Sequence, residues 1–259
     1  MHLTTFVDRW NDNLLEVAAK LPDTPKPQGY RLRPSRLGRP AYIQAIEHLC
    51  YLHGNIVDSD YTTLGRKQDL FDVGHATEER IINTLRSVGV TDFSYQLPVS
   101  FELAGYTVEG TADLIIDETV VDIKTASNSN YTRLIKGYGD LTYRTQLACY
   151  AHGLGLTQTA LLLYNKDNSE LYYKAVDTSG LMERVDNILH SLKVIESMGI
   201  DEAWQYINDV MEIPEPVPQM RDKQHTGKYL VPKELQWAPT VRDVLFHTEL
   251  RSEEHTSEL

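Results

Sequence analysis

Cysteine is nearly absent from this chain of 259 residues, with two in all, Cys50 and Cys149. Two thiols cannot build a disulfide framework, and they fall short of the four that a four-cysteine metal site or an iron–sulfur cluster takes. Both read as small buried hydrophobes. Long apolar runs are missing too. No stretch approaches the roughly 20 residues of a membrane span, and the first turns of the chain carry Asp8, Arg9, Asp12 and Glu16 where a signal peptide would be apolar. The expectation is a cytoplasmic protein with no membrane partner. Positive charge is in short supply: 25 Lys and Arg stand against 37 Asp and Glu, a net charge of −12. That excludes a protein coating nucleic acid through its whole surface, but leaves room for a local basic groove. What remains, 41% hydrophobic and 24% charged residues, is a globular composition long enough for one substantial core or two small ones.

Leu3, Phe6, Trp10, Leu14, Val17 and Leu21 recur at intervals of three and four, which predicts an amphipathic helix. Pro22, Pro25, Pro27, Pro34 and Pro40 then break the chain into a linker. Arg31, Arg33, Arg36 and Arg39 fall within it with no acid between them, either as a solvated loop or as a phosphate-contacting edge. A helix is predicted over Ala41 to Leu52, with Ile43, Ile46, Leu49 and Cys50 facing inward, then a loop from Gly54 to Asp69. GHATEERIINTLRSVG reads as a helix ended by Gly89. Glu78 precedes Ile81, Ile82 and Leu85 by three, four and seven residues and so shares their core-facing stripe, whereas Glu79 sits towards its edge. A carboxylate turned towards a core is costly without a partner.

FSYQLPVSFELAG, YTVEGTADLIID and ETVVDIKTA predict a meander of strands, and SNSNYTRLIKGYGD a loop before a helix from about Leu141 to Gly153. TALLLYNK and ELYYKAV read as two further strands, and Gly180 to Met198 as a long helix. The tail holds Pro214, Pro216 and Pro218 and gives no readable pattern. The string RSEEHTSEL over 251–259 resembles the translation of a sequencing adapter and is set aside from the fold. On that reading 201–250 is a truncated C-terminal extension, 1–40 an N-terminal helix and linker, and 41–200 the core.

A two-residue turn at Asp117-Glu118 would pair Ile116 with Thr119, and, carried onward, Asp113 with Asp122 and Thr111 with Lys124. Strand alternation then places Asp113, Asp122 and Lys124 on one face, the two carboxylates about 5 Å apart at their Cβ atoms. Like charges so placed repel, and a polar solvent face does not explain why Ile115 and Val120 share it. A divalent cation between them does, because magnesium gathers hard oxygen ligands.

A helix with Gly74 and Glu78, a strand with Gly110 and Asp113, a strand with Asp122 and Lys124, then a helix with Gln146 and Tyr150, resembles the PD-(D/E)XK nucleases, and most closely their RecB-like and phage-exonuclease branch. The resemblance covers Gly74 to Tyr150, and SRLGRPAYIQAI resembles the helix entry of the phage members. It implies an α/β fold with a restriction-endonuclease-like core over 41–200, a mixed central sheet of about five strands flanked by helices. It also implies a Mg2+-dependent deoxyribonuclease acting as an exonuclease, with Mn2+ as a substitute and no iron–sulfur cluster, serving recombination or genome processing in a phage or bacterium. Asp113 and Asp122 would hold the metal, with Glu78 and the Ile123 backbone carbonyl as further ligands. Lys124 would orient or deprotonate the attacking water, or neutralise developing charge. Gln146 and Tyr150, i and i+4 neighbours, would steady the lysine or the substrate strand. His75, one turn before Glu78, is a DNA contact or a capping residue. Partners would be DNA, contacted by Arg31, Arg33, Arg36 and Arg39, and a phage recombination or replication protein. An inactive DNA-binding module and a site-specific endonuclease of the same fold are the alternatives.

Overall fold

The computed structural model describes residues 32–52, 61–137 and 141–210. The expected N-terminal helix, the proline-bearing tail and the 251–259 string lie outside them. The described helices are α1 (Pro34–Leu37), α2 (Ala41–Leu52), α3 (Tyr61–Ser87), α4 (Asn128–Ile135), α5 (Leu141–Leu154), α6 (Leu181–Glu196) and α7 (Ile200–Val210). The strands are β1 (Phe93–Leu103), β2 (Tyr106–Ile116), β3 (Thr119–Ala126), β4 (Gln158–Asn165) and β5 (Leu171–Ala175). They form one mixed sheet in the order β1-β2-β3-β4-β5, parallel only between β3 and β4. This is the α/β architecture expected, a five-stranded sheet with flanking helices. No helix among the described residues is long and apolar enough to cross a membrane.

Local chemistry sets the hairpins. Asp117 and Glu118 take φ of 49° and 58°, the two left-handed residues of a type I′ turn, so Ile116 faces Thr119 as the sequence predicts. The parallel pairing of β3 with β4 needs a crossover, which α4 and α5 supply. β3 is thereby covered on both faces and six of its eight residues are buried, which accounts for the nearly continuous apolar run Val120, Val121, Ile123. On one face Val120, Leu161 and Leu163 pack with Leu147, Tyr150 and Ala151 of α5. On the other Val121, Ile123 and Ala160 pack with Ile81 and Ile82 of α3. Leu147, Leu161 and Leu163 are fully covered, each contributing roughly 1.5–3 kcal/mol relative to exposure, and they hold α5 to the sheet.

Two helices differ from expectation. The loop predicted over Gly54 to Asp69 is helical from Tyr61 onward. Gly65 marks a break in the sequence, but Leu, Arg, Lys and Gln around it favour helix, and a helix nucleated downstream extends at little cost. SNSNYTRLI, expected as loop, contains α4. Its cap is tertiary: the Asn128 backbone N–H donates to Asp167 Oδ2 at 2.7 Å, and Asn165 Nδ2 donates to Asn128 Oδ1 at 2.9 Å. Tyr131 and Leu134, one turn apart, are then buried. The α3 terminus follows the sequence, with Gly89 at φ 87° and Val90 N–H closing back to the Leu85 carbonyl at 3.0 Å.

Packing divides the chain into two compact units, Met1–Gly38 with Ser59–Glu183, and Arg39–Asp58 with Arg184–Leu259. The first holds the sheet. In the second, α2 packs on α7, and buried His48 lies 3.2 Å from Glu196.

Cys149 is fully buried in α5, and burial pushes its thiol up to about 12. It should therefore resist thiol reagents in the native protein. Labelling with a chromogenic disulfide should leave at least one of the two cysteines unmodified until denaturant is added; rapid modification of both would contradict this packing.

Candidate active site

β3 contributes the two residues that raised the question of its chemistry. Val120, Asp122, Lys124 and Ala126 share the face towards α5, so Asp122 is placed beneath a helix instead of in water. It is 0% exposed. Burial pushes its carboxyl up, Lys124 opposes that rise, and the charge of Asp113 adds to it. Lys124 Nζ lies 2.8 Å from each Asp122 oxygen, but it donates a hydrogen bond only to Oδ1. Oδ2 is thus a buried acceptor in ionic contact without an aligned donor. Burial pulls the lysine down, while Asp122 and Asp113 hold it protonated with a net upward shift. Its ammonium also lies 5.2 Å from the centre of the Tyr143 ring, in range of a cation–π contact.

Asp113 does not face Asp122 across the ladder as the turn register implies. The β2–β3 pairing runs from Ile116↔Thr119 to Leu114↔Val121 and ends there, so neither Asp113–Asp122 nor Thr111–Lys124 is a ladder pair. The Asp113 carboxylate takes over instead: its Oδ2 accepts the Ile123 backbone N–H at 2.8 Å. An acid's side chain therefore stands in the opening between two strands. Its charge acts on Asp122 and Lys124 of the α5 side and on Glu78 of the α3 side.

Glu78 approaches from α3, on the stripe that packs Ile81 and Ile82 against the sheet. It is half-buried, and burial followed by the charge of Asp113 raises its carboxyl, with His75 and Lys124 opposing. Gln96 Nε2 donates to its Oε2 at 3.2 Å. Gln146 and Tyr150 are buried on α5, joined by a hydrogen bond from Gln146 Nε2 to the Tyr150 hydroxyl at 3.0 Å. The Tyr150 hydroxyl feels Asp122, Asp113 and Lys124 as well as its own burial. Gly110 explains how that tyrosine comes so near: a Cβ there would sit 2.9 Å from Tyr150 Cε1 and 3.0 Å from Pro34 Cδ.

The remaining expected residues are more dispersed. His75 is exposed on α3, one turn before Glu78. Glu79 is exposed and lines a shallow surface depression with Arg80 and Asn83. Arg33 and Arg36 are exposed at α1, whose Pro34 lies against Gly110. Arg39 falls in the second compact unit, where its backbone carbonyl accepts from Gln44 and Arg184. Arg31 lies outside the described residues. Gln96 and Tyr143 were not read from the sequence. Tyr143 could have been, since it precedes Gln146 and Tyr150 by three and seven positions on the same helix. Nothing in the sequence marks Gln96.

Hard oxygen donors around a buried, unaligned Asp122 Oδ2 suit a divalent cation in kind. In spacing they do not yet form a cage: among the described residues no three His, Cys, Asp or Glu side chains stand together closely enough to hold a metal ion. The Lys124 ammonium lies on the Asp122 oxygens a cation would take.

No family model and no curated protein matches the chain. Among solved structures it is similar to the crystal structure of SSO0001, at 15% identity and a TM-score of 0.42, over 73% of this chain and 86% of that one. It is also similar to an alkaline exonuclease, LHK-Exo, from Laribacter hongkongensis, at 12% identity and a TM-score of 0.45, over 69% of this chain and 93% of that one. The same enzyme in complex with dAMP gives 13% identity and a TM-score of 0.42.

Two substitutions test this arrangement. Lys124→Met keeps the stem and removes the charge, leaving buried Asp122 uncompensated, and should cost about 2–4 kcal/mol in urea unfolding; adding Asp122→Asn should recover much of the loss. Gly110→Ala should cost about 1–3 kcal/mol by forcing Tyr150 or Pro34 aside. Wild-type stability in both single variants would refute the packing described.

Proposed function

We propose that the chain is a divalent-metal-dependent deoxyribonuclease of the PD-(D/E)XK type, hydrolysing phosphodiester bonds from DNA ends. The observation that carries this reading is the buried Lys124–Asp122 pair with the Asp113 carboxylate on the Ile123 N–H next to it, beside the hydrogen-bonded pair Gln146 and Tyr150 and with Glu78 in electrostatic reach. The order and spacing of these residues in the sequence support the same family independently.

Asp113 and Asp122 would hold the cation, with Glu78 as a further ligand. Magnesium or manganese bound there would acidify a water and offset charge on the scissile phosphate. The chain's own groups supply the rest. Lys124, kept protonated by its two carboxylate neighbours, can turn from Asp122 to the phosphate oxygens, where an ammonium stabilises the pentacovalent charge. Tyr143 and the covering helix α5 limit where that ammonium can go. Gln146 donates to the Tyr150 hydroxyl, and the pair would steady the lysine or the substrate strand. Arg33 and Arg36, exposed at α1, would contact backbone phosphates, with Arg31, Arg39 and His75 as further candidates. DNA is the partner this implies, in phage or bacterial recombination or genome processing.

The test is cleavage of end-labelled linear, nicked and closed-circular DNA with Mg2+, with Mn2+ and with chelator. Linear DNA should be degraded from its ends only when metal is present, and closed circles should survive. Asp113→Asn and Lys124→Met should each reduce the rate by at least about 100-fold, the scale seen when a charge-stabilising group is lost. Cutting of closed circles would make the chain an endonuclease; binding without hydrolysis would make it an inactive DNA-binding module.

A further inference from the structure

We infer that Gln96 is a positioning residue for the nuclease reaction: its left-handed backbone turns the β1–β2 hairpin over at Asp113, and its amide holds Glu78 towards the site. The inference rests on the reading just proposed and extends it to a residue outside its motifs. Gln96 has φ of 52°. The other positive-φ residues other than glycine among those described, Ala104, Asp117, Glu118 and Ser169, lie in hairpin turns. Gln96 lies inside a strand, where this conformation is disfavoured for a residue with a Cβ.

Its position is specific. Tyr95 pairs with Leu114 and Leu97 with Ala112, so Gln96 stands opposite Asp113, and neither of the two is a ladder partner. The register is the same on both sides, so no residue has been inserted and this is not a bulge. The side chains nevertheless change sides. Phe93 and Tyr95 of β1, with Leu114 and Ile116 of β2, pack in the α3 cluster. Val99 and Phe101, with Ala112, pack in the α5 cluster. All four of those β1 residues are odd-numbered, and an uninterrupted strand would keep them on one face. Both strands therefore roll over at Gln96 and Asp113 together. The roll stops β2 from pairing with β3 beyond Leu114↔Val121 and leaves Asp113 in the opening, where its carboxylate takes the Ile123 N–H.

The Gln96 side chain is exposed, so packing does not explain the conformation. Its amide donates a 3.2 Å hydrogen bond to Glu78 Oε2. Glu78 reaches the site from the opposite layer to Asp122 and Lys124 and is repelled by Asp113. Backbone strain that packing does not require and that serves the placement of acids is the pattern expected at a functional site.

Gln96→Gly separates the two contributions, since glycine keeps the left-handed backbone and drops the amide. The variant should lose kcat by roughly 10–100-fold, the usual cost of removing a residue that orients a ligand. KM for linear DNA should stay within about twofold, and the unfolding midpoint in chelator should equal or exceed that of the wild type. Mn2+ titrated calorimetrically, without DNA, should bind at least about tenfold more weakly. Unchanged kcat and Mn2+ affinity in the variant, with an active wild type, would overturn the inference. A fall in kcat that tracks a lowered unfolding midpoint would also overturn it, by assigning Gln96 a structural role alone. A wild type that neither cleaves DNA nor binds Mn2+ would remove the nuclease reading itself, and the inference with it.

Discussion

The Asp113 carboxylate bonded to the Ile123 N–H is the contact on which the site depends. In a regular antiparallel pair that N–H would be met by a neighbouring strand, and a buried N–H left unmet costs about 1–3 kcal/mol. Here the neighbouring backbone has rolled away and an acid's side chain fills in. The same atoms thus preserve the sheet and place a charge in its plane. From that position Asp113 acts on Glu78 from one layer and on Asp122 and Lys124 from the other. A carboxylate on either surface of an intact sheet could reach only one of them.

Electrostatics and packing then pull in opposite directions. Asp122 is sealed beneath α5 by some of the best-packed residues in the first unit, Leu147, Leu161 and Leu163. Burying a carboxylate there is unfavourable, and Lys124 with two 2.8 Å contacts is what makes it tolerable. A buried pair of this kind is a poor way to stabilise a fold, because apolar residues of similar volume would do as well or better. On the proposed reading the pair, beside the charge of Asp113 and of Glu78 across the sheet, would prepare the site for a ligand carrying positive charge. Lys124 would then serve as a provisional counterion, held on Asp122 until a cation takes its place.

Much of this was legible in the sequence because it is local. The turn at Asp117-Glu118, the meander, the stripe that carries Glu78 and the i, i+4 pair Gln146 and Tyr150 all follow from short-range pattern. What could not be read depends on distant residues. α4 looks like a loop until Asp167 and Asn165 cap it from the β4–β5 hairpin. The face switch in β1 is hidden more completely, because Phe93, Tyr95, Leu97, Val99 and Phe101 alternate without a break while their partners change from α3 to α5. Periodicity records which side chains avoid water, not which of two cores receives them. For the same reason the sequence register carried the Asp113–Asp122 pairing past the point where the ladder ends.

The central claim is that acids from both layers converge at Asp113 to receive a divalent cation. Anomalous diffraction from crystals soaked in Mn2+ tests it most directly. The expected result is a manganese peak bounded by Asp113 and Asp122, with the Lys124 ammonium displaced from the Asp122 oxygens and Glu78 drawn towards the metal. Manganese only at unrelated surface acids, with the Lys124–Asp122 contact unchanged at saturating metal, would contradict it.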